Sequence, residues 1–248
     1  MSDRIGLQLY SVRDAAAKDY EGTVRKVAEM GYRAVEVAGF PGTTAEKAAK
    51  LFNELGMTVI AAHSSMPLGE KKNEVLEMME ALGKPRLILP YSRPDDLKTI
   101  ESVRRLVDTF NEGNAVARAN GMEFGFHNHW AEFQKTEEGR YVYQLFMEYM
   151  DPSIIFELDT YWIQVAGCDP VAVVKELGKR APLLHIKDGP ANREDAMTAA
   201  GEGIIDIPAI LKAGGDNAEW WIFEMDRCAT DPMVAVEKSY RYLQGVSL

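Results

Sequence analysis

The stretch from Phe124 to Phe133, FGFHNHWAEF, begins as an apolar strand and ends in His127, Asn128, His129 and Glu132. Such a segment delivers several metal-binding or proton-transferring groups to one rim. The chain has four histidines, and two of them are here. The other two, His63 and His185, also end short apolar runs, IAAHSS and LLHIKDG. Histidines kept for packing or solubility would fall on helices and loops as well. All four at strand ends point to a shared site.

Carboxylates gather at the same ends. Glu36 lies in AVEVAGF, Glu157 and Asp159 in IIFELDTYW, and Glu224 and Asp226 in WWIFEMD, while Lys187 and Asp188 follow His185. Taken singly, a carboxylate at a strand end is more often a helix cap or ion-pair partner than a ligand, and a lone His is more often a satisfied core residue. Adjacent strands that all end in oxygen and nitrogen donors shift that balance. One divalent cation of the Mn, Mg, Co or Zn type requires such a set, with open positions left for substrate. Tyr10, Phe40, Trp130, Tyr161 and Trp162 lie at the same rim, where aromatic faces can stack on sugar C–H surfaces or pack the core.

Groups placed in this way need strands with a common end. The β-rich runs are IGLQLYS from Ile5, AVEVAGF from Ala34, TVIAAHSS from Thr58, RLILPYS from Arg86, MEFGFHNH from Met122, IIFELDTYW from Ile154, PLLHIKDG from Pro182 and WWIFEMD from Trp220, eight in all. Helical patterns lie between them: Val24, Val27 and Ala28 share one face, as do Ala45, Ala48 and Phe52, then Val75, Met79 and Leu82, then Val103, Val107 and Phe110. Gly31, Gly56 and Gly83 read as helix stops, and Asp169-Pro170 and Asp231-Pro232 as helix starts. Strand and helix in alternation predict a parallel sheet. Runs apolar on both faces suit strands between a filled interior and a helical coat. The expected fold is a single (β/α)8 TIM barrel over residues 1–248. An open doubly wound sheet is the alternative, but no GxGxxG follows the first run and no P-loop occurs.

Length fits this reading, because 248 residues are typical of one such barrel. With 46% hydrophobic and 27% charged residues the chain reads as an ordinary globular protein. A formal charge of −10 and the lack of a dense basic cluster argue against a nucleic-acid partner. Cys168 and Cys228 have no zinc-type spacing and make no disulfide framework, which fits a reducing, cytoplasmic setting. Neither an export signal nor a membrane-spanning run is expected. Self-association into a homo-oligomer is compatible with the sequence, which carries no mark for or against it.

GLQLYSVRD, HNHWAEF, FELDTYW, LLHIKDG, the GEGIID loop from Gly201, and IFEMDR together resemble the sugar phosphate isomerase/epimerase group of xylose isomerase-like barrels. The resemblance covers essentially the whole chain and implies a metal-dependent enzyme acting on a small sugar or keto-sugar through an enediolate. One fold with one metal site hosts several chemistries, so the substrate is not implied. By resemblance to ketose 3-epimerases, Asp159, His185 and Glu224 are expected metal ligands, and Glu224 a proton-shuttling group as well. Where those relatives carry a ligand Glu on the fifth strand, this chain has His127, with Glu132 further on. Glu132 is taken as the fourth ligand because a second carboxylate balances a dication better, with His127 the alternative. The spacing of His127 and His129 looks like the His-x-His of inosose dehydratases, which implies a base beside a carbonyl, and a lyase performing β-elimination as the alternative function. Lys187 would stabilise an oxyanion or protonate a leaving hydroxyl, or else be a surface residue paired with Asp188. His63, Trp162 and Asp226 are expected against substrate. An unphosphorylated substrate is expected, since no basic or glycine-rich turn follows the last two strands.

Overall fold

The computed structural model describes residues 4–91 and 93–247; residues 1–3, Ser92 at the end of the fourth apolar run, and Leu248 lie outside the described residues. All eight runs form strands: β1 Ile5–Gln8, β2 Ala34–Val37, β3 Thr58–His63, β4 Arg86–Pro90, β5 Phe124–His127, β6 Ile155–Asp159, β7 Leu183–Ile186 and β8 Trp220–Phe223. They pair in sequence order and in parallel, and β8 closes on β1 with Ile5 beside Trp221 and Leu7 beside Phe223. That last pairing excludes the open sheet and makes the chain a single TIM barrel. No helix among the described residues is long and apolar enough to cross a membrane.

The helices form where the apolar spacing predicts them. Val24, Val27 and Ala28 are buried in helix Tyr20–Met30, which Gly31 ends at φ 113°. The carboxylate of Asp231 accepts from the amides of Met233 and Val234 at the start of helix Pro232–Gly245, and Asp169 caps helix Pro170–Leu177 in the same way.

Burial divides into two layers. A large core lies between strands and helices, while Ala34, Ile60, Ala61, Ile88, Ile155, Leu183 and Ile222 form a separate cluster from the strands alone. This second cluster plugs the barrel. At Gly125 a Cβ would lie 2.6 Å from Ile88 Cδ1 and 2.7 Å from Ile155 Cγ1, so glycine there makes room for the isoleucines. Because residues two apart on a strand face the same side, positions two beyond the plug also point inward. They are Glu36, His63, His127, Glu157, His185 and Glu224. An apolar floor therefore carries a polar ring.

Asp188 fixes the loop above β7. Its fully buried carboxylate accepts from the amides of Gly189, Gly201, Gly203 and Ile205, so the GEGIID segment is pinned to the strand end. A Cβ at Gly203 would meet Asp188 Oδ1 at 2.1 Å, which explains the glycine. Asp188→Ala should destabilise the protein by about 3 kcal/mol or more in denaturant melts, because several buried amides lose a charged acceptor at once. A change under about 0.5 kcal/mol would show that the loop holds itself.

Candidate metal centre

His127, Asp159, His185 and Glu224, from β5, β6, β7 and the end of β8, each offer a donor atom, and these atoms lie within 4.8 Å of one another. All four residues are at most 4% exposed. His127 Nε2 is 3.8 Å from Asp159 Oδ2, and His185 Nδ1 is 2.8 Å from Glu224 Oε2. The Lys187 ammonium stands beside this group, 2.8 Å from Asp159 Oδ2, 2.9 Å from Glu224 Oε2 and 2.7 Å from Asp226 Oδ2. One positive charge thus faces three carboxylates. Asp159 Oδ2 is buried, with that ammonium its near neighbour. Two imidazoles and two carboxylates are the donor set a divalent transition metal takes, so the residues fit such an ion.

Electrostatics follow from burial and these neighbours. Burial, only partly offset by Lys187, raises Asp159 to about 6. Burial also raises the carboxyl of Glu224, but Lys187 and His185 outweigh it and hold the group well below the usual range. His127 is kept neutral by burial, which pushes its pKa well below the ordinary imidazole value. Desolvation works against the charge on Lys187, yet the three carboxylates hold its proton well above the lysine range.

Beneath this group lies a second one. Glu157 Oε2 meets three imidazoles: His63 Nε2 at 2.6 Å, His127 Nδ1 at 3.1 Å and His185 Nε2 at 3.2 Å. Glu36 Oε2 lies 2.6 Å from His185 Nε2, and Glu36 Oε1 lies 3.4 Å from His63 Nε2. Burial and the charge of Glu157 lift Glu36 to about 7.

Above the donors opens a cavity of about 350 Å³ whose wall includes Tyr10, His63, His127, His129, Glu224 and Asp226. That is room for a small ligand. Larger clefts lie among the outer helices, and none of them contains a histidine. His129 places Nδ1 2.8 Å from the Tyr91 carbonyl, which can only accept, so Nδ1 carries the proton and Nε2 is the acceptor. Burial and Lys187 lower its pKa.

Not every expected residue joins the site. Glu132 stands apart from the group of four: Glu132 Oε2 accepts from the His129 amide at 2.9 Å within the turn Ala131–Phe133, and burial raises its carboxyl to about 8. Trp162 lies outside the cavity wall, its ring 5.8 Å from Lys187 Nζ, and its amide donates to Asp159 Oδ1. Asp159 is therefore a helix cap through one oxygen and a site donor through the other. Lys187 is fully buried among carboxylates rather than a surface partner of Asp188. His63 and Asp226 line the cavity. Sequence reasoning named Asn128 without giving it a role; its Oδ1 accepts from the Asp159 amide at 2.9 Å and its Nδ2 donates to the Asp159 carbonyl. It clamps β5 to β6, and its place between the two histidines was the available signal.

No curated protein matches the sequence. Among solved structures, a sugar phosphate isomerase/epimerase from Parabacteroides distasonis ATCC 8503 is 25% identical with a TM-score of 0.83, covering 98% of this chain and 100% of that one. An L-ribulose 3-epimerase shares the fold at 14% identity and a TM-score of 0.73, with 97% and 93% covered. The IolI protein, solved with a bound zinc atom, shares it at 13% identity and a TM-score of 0.77, with 98% and 97% covered. Residues 24–244 match the model of one protein family, and on that match the chain belongs to the xylose isomerase-like TIM barrel family.

Proposed function

We propose that the protein is a divalent-metal-dependent isomerase or epimerase acting on a small, unphosphorylated sugar or keto-sugar. One observation carries the reading: His127, Asp159, His185 and Glu224 converge beneath a cavity whose wall presents His129. His127 takes the place expected of Glu132 as the β5 ligand, because it belongs to the group of four donors, whereas Glu132 lies outside that group with Oε2 accepting from the His129 amide. When bound, the ion would supply Lewis-acid polarisation of a carbonyl and its neighbouring hydroxyl. The zinc of the IolI protein and the activity named for the L-ribulose 3-epimerase support this class.

His129 is the base in this reading. Its Nδ1 proton is fixed on the Tyr91 carbonyl, so Nε2 receives the proton taken from the carbon beside the carbonyl. Lys187 contributes a fixed positive charge against a developing oxyanion. The carboxylates that surround it hold its proton well above the lysine range in the metal-free protein. His63 and Asp226, on the cavity wall, are placed to meet substrate hydroxyls.

The test is incubation of metal-loaded protein with free keto-sugars in deuterated water. Deuterium should enter the carbon next to the carbonyl while the carbon skeleton keeps its atoms. A product that has lost a water would make the protein a lyase. Among the described residues the cavity wall includes no lysine or arginine, so free sugars should be turned over faster than their phosphate esters. A preference for the ester in kcat/KM would overturn that part.

A further inference from the structure

The two imidazoles of the proposed metal centre use different nitrogens. His185 turns Nδ1 toward Glu224 and Nε2 toward Glu36, whereas His127 turns Nε2 toward Asp159 and Nδ1 toward Glu157. A metal-bound imidazole carries one N–H, and the nitrogen that donates it to a carboxylate cannot ligate the metal through the same position. We propose that Glu36 and Glu157, linked by His63, are positioning residues that hold His185 and His127 in opposite tautomers, each with its bare nitrogen toward the ion. This rests on the metal reading above.

The floor is built for that task. Glu157 stands on β6, between the strands that carry His127 and His185, and one of its oxygens reaches both rings. Glu36 reaches His185 from β2, so that ring is held by two carboxylates from opposite parts of the barrel. His63 approaches both carboxylates with one nitrogen and keeps two buried acidic groups in place. Glu36, Glu157 and His185 are fully buried, so water does not take over if one of them is removed. Carboxylates behind ligating histidines fix ring orientation and raise ligand basicity, and losing one typically weakens metal affinity by about 10- to 100-fold. The floor is a poor second cation site, because His127 Nδ1 and His185 Nε2, which already face Glu157, would have to give up the protons that leave the opposite nitrogens bare for the upper group.

Long-range proton–nitrogen correlation spectra of histidine-labelled, zinc-loaded protein read the tautomers directly. His185 should appear ligated through Nδ1 with the proton on Nε2, and His127 should show the reverse. Glu36→Gln should disturb the His185 signals and Glu157→Gln those of His127. Both variants should keep their far-UV circular dichroism and lose zinc affinity by about 10- to 100-fold in chelator competition. The same tautomer for both ligands would overturn the proposal, as would unchanged zinc affinity in both variants or a second equivalent of zinc ligated by His63. Wild-type protein that binds no zinc would instead remove the metal reading itself, and this inference with it.

Discussion

Alanine in place of Asp159, His185 or Glu224 should strip the bound metal and abolish turnover while the barrel stays folded. Each side chain points from a strand end into the polar ring rather than into either apolar core, so its loss removes a donor and little packing. Lewis-acid polarisation is worth several kcal/mol, and a fall of about 10³-fold or more in kcat is expected. Asp159→Ala also removes the cap on the Trp162 amide, a cost of about 1 kcal/mol, and one of the three carboxylates around buried Lys187, a further cost that thermal melts should register separately. Glu132→Gln should retain the metal, because that carboxylate holds a backbone amide. The pH dependence follows from two donors in the metal-free protein. Burial lifts Asp159 to about 6; burial opposes the charge on His185, but three carboxylates outweigh it and hold its proton well above the ordinary imidazole value. Both must lose their protons to bind the ion, so metal occupancy should fall as pH drops, beginning above the Asp159 value. Unchanged metal content in all three alanine variants, by elemental analysis, would end the metal reading.

The strands and most of the site were legible because a barrel obeys a short period. Inward positions recur every second residue, so the polar letters two beyond Ala34, Gly125, Ile155, Leu183 and Ile222 had to share one ring. What the sequence could not rank was the choice between His127 and Glu132. That choice depends on the turn Ala131–Phe133, which folds the Glu132 carboxylate back onto its own segment. Charge balance argued for a carboxylate ligand, whereas one oxygen of that carboxylate accepts from the His129 amide and the residue lies outside the group of four donors. Lys187 and Asp188 are neighbours in sequence and so looked like a pair. They face different environments: Lys187 joins the carboxylates of β6 and β8, and Asp188 takes the loop amides. Glu36 and Glu157 were visible as strand-end acids, yet their part beneath the histidines depends on which ring nitrogen each one meets.

His129→Asn should keep the metal and lower turnover by about 10² to 10⁴, the usual worth of a positioned general base. The argument starts from the Tyr91 carbonyl, which binds the Nδ1 proton and leaves Nε2 as the basic nitrogen of a residue on the cavity wall. Asparagine can still donate to that carbonyl but has no nitrogen able to take a proton. Solvent deuterium should therefore stop entering the carbon beside the carbonyl, at unchanged metal content. Burial and Lys187 lower the pKa of His129, so the base is neutral over the ordinary range, and the acid limb of the rate should fall below the free imidazole value of about 6.5. His127→Asn should behave differently and lose metal, because His127 is a donor in the proposed group of four. If His127→Asn keeps the metal and stops the exchange while His129→Asn leaves both unchanged, then His127 is the base and not a ligand. The β5 ligand would then have to come from elsewhere, and Glu132 would have to leave the His129 amide to supply it.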